Sequence, residues 1–128
     1  MEVKATARYL RISPRKMRPV IDVVRGLDLA SARQQLRFMK KAAAPLVLKL
    51  IDSAAANARH NFQLSIEQLF VKRIAADGGP VIHRSTPKAF GRAAPIRKRM
   101  THLSVTLEDR KKEDETEKGK GKKRQKST

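Results

Sequence analysis

Apolar positions along the chain change period several times, and each change marks an element. From Val3 to Leu10, Val3, Ala5, Ala7 and Tyr9 alternate with Lys4, Thr6 and Arg8, which predicts a short strand. Ser13 and Pro14 then read as the start of a helix, an N-cap followed by a first-turn proline. Met17, Val20, Ile21 and Val24 make one helical stripe, with Arg11, Arg15, Arg18, Asp22 and Arg25 on another face. Pro19 predicts a kink or a late start, and Gly26 a stop. A second helix is expected from Leu29 to Phe38, with Ala32, Leu36 and Phe38 or Met39 inside. In KKAAAPLVLKLIDSAAANARHN, Ala43, Val47, Leu50, Ile51, Ala54 and Ala58 share one face, and Lys41, Lys49, Asp52 and Arg59 leave a narrow polar stripe. That pattern predicts a central, most buried helix, ended by Asn61. The period then returns to two: Leu69, Val71 and Arg73 alternate with Phe70, Lys72 and Ile74, and Leu103, Val105 and Leu107 alternate with His102, Ser104 and Thr106. Tyr9, Phe38, Phe62 and Phe70 read as core or edge packing.

Between those two strands the pattern fails. No Asp or Glu occurs between Asp77 and Glu108, while Arg84, Lys88, Arg92, Arg97, Lys98 and Arg99 do. The economical arrangement is one long β-hairpin whose strands outrun the core, because structureless loops of this length are uncommon in compact domains. Its midpoint falls at Phe90–Gly91, where Gly91 supplies the positive φ of a turn. Pro87 and Pro95 are tolerated in a ribbon that has an outward side on every strand. At about 3.3 Å per residue, an arm of about 12 residues reaches about 40 Å, against a radius of gyration near 13 Å for a domain of about 100 residues. So polar an arm cannot offset its ordering entropy, about 1–2 kcal/mol per residue, by burial. It requires an external partner.

Composition names the class of that partner. The 128 residues hold 30 Lys and Arg against 12 Asp and Glu, a formal net charge of +18. Such a charge attracts polyanions, nucleic acid first and an anionic membrane second. There is no cysteine, hence no disulfide framework and no thiolate metal site. No signal-type or spanning apolar run is visible, so a cytoplasmic protein without a membrane role is expected. Residues 1–110 read as one domain, with the hairpin at about 78–100. The run EDRKKEDETEKGKGKKRQKST has almost no apolar content, and residues 111–128 are expected to form a disordered charged tail.

Three stretches, KKAAAPLVLKLIDSAAANARHN, ADGGP and PKAFGRAAPIRKRMTHLSV, resemble the bacterial large-subunit ribosomal proteins of the L-twenty-two family, and ISPRKMRPVIDVVRG fits the same family. The resemblance runs from Glu2 to Arg110. It implies an α+β fold, three helices packed on a small antiparallel three-stranded sheet with a long protruding β-hairpin. It implies large-subunit ribosomal RNA, neighbouring ribosomal proteins and the nascent polypeptide as partners, for a single copy within the ribosome. It also implies a role in assembly, and a hairpin whose tip lines the peptide exit tunnel at Lys88, Ala89, Phe90, Gly91, Arg92 and Ala93. Lys88 stands where family members often carry Arg, and His83 where they often carry a basic residue. A lysine keeps a phosphate contact but not the bidentate fork of arginine.

The residues expected to meet RNA are Arg8, Arg11, Arg15, Lys16, Arg18 and Arg25 towards the N-terminus, and Lys40, Lys41, Lys49, Arg59 and His60 around the third helix. On the arm they are Arg84, Lys88, Arg92, Arg97, Lys98 and Arg99. Few aromatics argue against a base-stacking sheet, so phosphate and shape recognition are expected to dominate, with Phe90 the exception. Nothing points to catalysis, a cofactor or a metal. Asp52, three residues after Lys49, reads as its ion-pair partner. His60, His83 and His102 lack ligand spacing, and ADGGP lacks the GK[ST] ending of a phosphate loop. An architectural nucleoid DNA-binding protein with a basic β-arm is the alternative reading.

Overall fold

The computed structural model describes residues 1–110; the tail expected over residues 111–128 lies outside the described residues. Its elements run β1 (Glu2–Leu10), α1 (Pro14–Val24), α2 (Leu29–Phe38), α3 (Ala44–Phe62), β2 (Leu69–Pro87) and β3 (Ala93–Asp109). The strands form one antiparallel sheet in the order β1-β3-β2. This is the expected α+β fold of three helices on a three-stranded sheet.

The helices cover one face of the sheet. Val47, Ile51, Ala54 and Ala58 on α3 are fully buried, as are Met17 and Val24 on α1 and Leu103 and Leu107 on β3. Burying an Ile or Leu side chain contributes about 1.5–3 kcal/mol. The alanines of α3 let β1 and α2 approach closely, which makes α3 the central helix of the sequence pattern. Helix α1 starts at Pro14, with no late start; Pro19 sits inside it on the exposed side. Helix α3 outlasts Asn61. It ends on Gln63, which takes the left-handed conformation (φ 51°), and the Leu64 N–H closes on the Ala58 carbonyl at 3.2 Å.

Strand β2 departs from simple alternation. Leu69, Val71 and Ile74 are all buried, although Leu69 and Ile74 have opposite parity. The register slips between Val71 and Arg73, so a bulge at Lys72 resets which residues face the core. The bulge has an electrostatic use. Glu2 and Glu108 lie opposite each other on β1 and β3, a repulsive cross-strand pair. Lys72 Nζ lies 2.7 Å from Glu2 Oε1 and 2.7 Å from Glu108 Oε2 and ties the three strands together. The hydrogen bond from Lys72 holds the Glu2 carboxyl below the usual carboxylate range, and those two carboxylates push Lys72 up.

The outer edge of β2 is closed by the segment after α1. Gly26 donates to the Val71 carbonyl at 2.9 Å, and Val71 donates back to Leu27 at 2.9 Å. Edge strands left open invite unwanted pairing, and this one is covered over its core half.

The aromatic expectations divide. Phe70 is buried, and Tyr9 packs edge-on against His102, 4.9 Å between centroids, at an irregularity of β1 where its φ is 56°. Phe38 is 85% exposed, and Phe62 is exposed as well. At the end of α2 it is Met39, not Phe38, that packs on the core, because one residue's rotation around the helix separates the two sides. Asp52 pairs with Arg33 of α2 at 2.7 Å rather than with Lys49, so the ion pair joins two helices instead of decorating one.

Candidate nucleic-acid interface

Beyond Asp77 and His102 the two strands leave the body and continue paired to Pro87 and Ala93. The hairpin read from the sequence therefore forms as a ribbon. Its root is fixed twice. Thr101 is fully buried, and its hydroxyl donates to the Ile12 carbonyl, just before α1. Gly79 packs so tightly on Met100 that a Cβ there would meet its backbone at 3.3 Å, and the register slips between Gly78 and Val81 at this point. At the tip, Lys88 donates to the Arg92 carbonyl at 2.7 Å around a turn, Ala89–Gly91. Gly91 has the expected positive φ (69°), and Phe90 shares it (φ 60°) with its ring 99% exposed. A bulky residue held in the left-handed region is uncommon and costs free energy. The turn thus spends conformational energy to present an aromatic ring outward.

Between the arm root and the start of α1 lies a cleft of about 550 Å³ lined by Arg11, Ser13, Lys16, Ile82, Arg84, Arg97, Lys98, Arg99 and Met100. Six of these side chains are cationic and none is acidic. A second cleft, about 690 Å³, lies between the starts of α1 and α3 and is lined by Arg11, Ile12, Ser13, Arg15, Lys16, Pro19, Lys41, Ala42 and Ala43. The two share Arg11, Ser13 and Lys16, so they run together around the beginning of α1. A concave surface of one sign raises the local concentration of an anionic ligand.

The structure thus brings together eight of the sequence-predicted residues: Arg11, Arg15, Lys16, Lys41, Arg84, Arg97, Lys98 and Arg99. Lys88 and Arg92 stand at the tip. Arg8, Lys40, Lys49, Arg59 and His60 are exposed but line neither cleft. Arg18 and Arg25 are engaged with the protein itself. Arg18 donates to the Ala76 carbonyl at 3.5 Å; Arg25 donates to Ile74 at 3.2 Å and pairs with Asp22 at 3.0 Å. Both stitch α1 to β2. Ser13, Ile82 and Met100 line the main cleft without having been singled out for it. Ser13 signalled a cap, yet its side chain makes no capping hydrogen bond. Ile82 and Met100 carry no charge to mark them.

Among the described residues no group of three or more His, Cys, Asp or Glu is placed to hold a metal ion, and no helix is long and apolar enough to cross a membrane.

Comparison with known proteins gives one consistent answer. Residues 5–108 match the family model described as ribosomal protein L22p/L17e. The chain is 49% identical over 111 residues to the large ribosomal subunit protein uL22 of Pelotomaculum thermopropionicum, covering 87% of this chain and 98% of that one. It is 48% identical over 110 residues to the protein of that name from Chloroflexus aggregans (86% and 97% covered), and 46% identical over 110 residues to that from Desulfitobacterium hafniense strain Y51 (86% and 96%).

Proposed function

The chain belongs to the ribosomal protein L22p/L17e family, and on that premise we propose how it serves the large ribosomal subunit, of which it is a structural, non-enzymatic constituent. The body docks on large-subunit ribosomal RNA through the paired basic clefts, and the arm threads into the RNA so that its tip forms part of the wall of the peptide exit tunnel. Neighbouring ribosomal proteins and the nascent polypeptide complete its surroundings.

One observation carries this reading: a paired ribbon with no acid between Asp77 and Glu108 that leaves the body at a fixed root. A two-stranded ribbon is marginal in water by itself, and this one has little apolar surface of its own to bury. RNA supplies what it lacks. Phosphates neutralise Arg84, Arg97, Lys98 and Arg99, and the small residues Ala89, Gly91, Ala93 and Ala94 keep the ribbon thin enough for a crevice. Phe90 offers a ring for stacking on a base or for facing the peptide path.

The test is sedimentation of cell extract through a sucrose gradient, followed by detection of the chain. It is expected in the large-subunit peak, and a deletion of residues 88–92 is expected to stay there, since the tip is not the docking surface. Absence of the intact chain from that peak would sink the proposal.

A further inference from the structure

The main cleft has two walls that belong to different parts of the molecule. Arg11 and Lys16 stand on the body, while Arg84, Arg97, Lys98 and Arg99 stand on the arm. Like charges face one another across it with no acid among the lining residues. Among the described residues, no side-chain hydrogen bond or ion pair joins residues 79–100 to the body; the last side-chain fastening is Thr101 to Ile12. The arm is therefore held at its root and repelled just above it.

From this arrangement we infer that the cleft seats one continuous stretch of RNA backbone that touches arm and body at once, and that this strand sets the direction of the arm. The inference rests on the RNA-binding reading above and adds a mechanical role to it. An anion in the cleft reverses the sign of the interaction: each phosphate attracts both walls. Recognition is of phosphodiester, because the lining offers cations, one hydroxyl and two apolar side chains rather than aromatic platforms. The strand continues past Arg11 and Lys16 into the second cleft, towards Arg15 and Lys41, since the two clefts share those residues. Arg11 and Lys16 are thus the positions where one RNA segment couples the arm to the body.

The absence of cysteine permits a clean measurement. Ser85→Cys on the arm and Ser53→Cys on the outer side of α3, both exposed positions, take spin labels for pulsed distance measurement in the full chain. A transcript of the large-subunit ribosomal RNA is the probe, with binding followed separately by filter retention. In the parent chain the distance distribution is expected to be broad when free and to narrow at least twofold when RNA is saturating. Arg11→Gln with Lys16→Gln is expected to leave it broad at saturation. Arg11→Lys with Lys16→Arg, which keeps the charges, restores narrowing. So does the charge-matched control Lys4→Gln with Arg37→Gln, whose positions lie outside both clefts. Equal narrowing in the Arg11/Lys16 neutral variant, or equal loss in the control, overturns the inference. Binding by the parent chain with no narrowing overturns it while leaving the RNA-binding reading intact. No binding at all removes both.

Discussion

Changing Arg97, Lys98 and Arg99 together to glutamine removes half of the six cations in the main cleft and leaves the body core untouched, since all three are exposed. Each cation that neutralises a phosphate contributes about 0.7–0.9 to the slope of log affinity against log salt. If all three meet phosphate, the slope falls by about 2–3. The advantage of the parent chain over the variant then shrinks by roughly 20- to 40-fold between 50 and 200 mM salt, by the same relation. Filter-binding titrations against a large-subunit ribosomal RNA transcript at several salt concentrations give both slopes. Arg37→Gln, which lies outside the clefts, is the reference and is expected to change the slope little. An unchanged slope in the triple variant, with a far-ultraviolet spectrum showing that it folds, would refute phosphate contact at the arm root.

Other outcomes follow from the structure. Limited proteolysis of the free chain is expected to cut first between Lys88 and Arg99, and the same bonds are expected to be protected in the large subunit; equal protection in both states would contradict the argument that the arm needs RNA to order it. Ile51→Ala, at a fully buried position of α3, is expected to lower stability by about 2–5 kcal/mol in urea titration, and Thr101→Val by about 1–3 kcal/mol because it strands the Ile12 carbonyl at the arm root. The Glu2 carboxyl is held down by Lys72, so its stabilising effect is present above the ordinary glutamate range, about 4.3, and is lost as pH falls through its lower folded value. Carbon-detected titration should find Glu2 below that range, and Lys72→Ala should return it there.

The helices were legible because their apolar spacing is regular. Met17, Val20, Ile21 and Val24 form the buried stripe of α1 that their spacing predicts, and α3 is the central helix. The hairpin was legible for a different reason: a long acid-free span between two alternating strands leaves few other arrangements. What escaped reading depends on contacts between distant segments. The bulge at Lys72 turns Ile74 inward, and nothing local marks it; the Glu2–Glu108 pair that Lys72 bridges there is brought together only by the pairing of β1 with β3. Arg18 and Arg25 look like any exposed helical cations until β2 presents the carbonyls of Ala76 and Ile74 to them. The main cleft likewise needed the fold, since its two walls, residues 11–16 and residues 82–100, lie far apart in the chain and meet only where the arm root packs beside the start of α1.

We propose an arm that lies in RNA with its tip at the path of the growing peptide. A photo-crosslinking residue in place of Phe90, in ribosomes stalled during translation, tests it most directly. Crosslinks are expected from this position to large-subunit ribosomal RNA and to the nascent chain, and none to the nascent chain from a crosslinker at Ser53 on α3. Crosslinks from position 90 only to proteins of the outer ribosomal surface would place the arm outside the tunnel and contradict it.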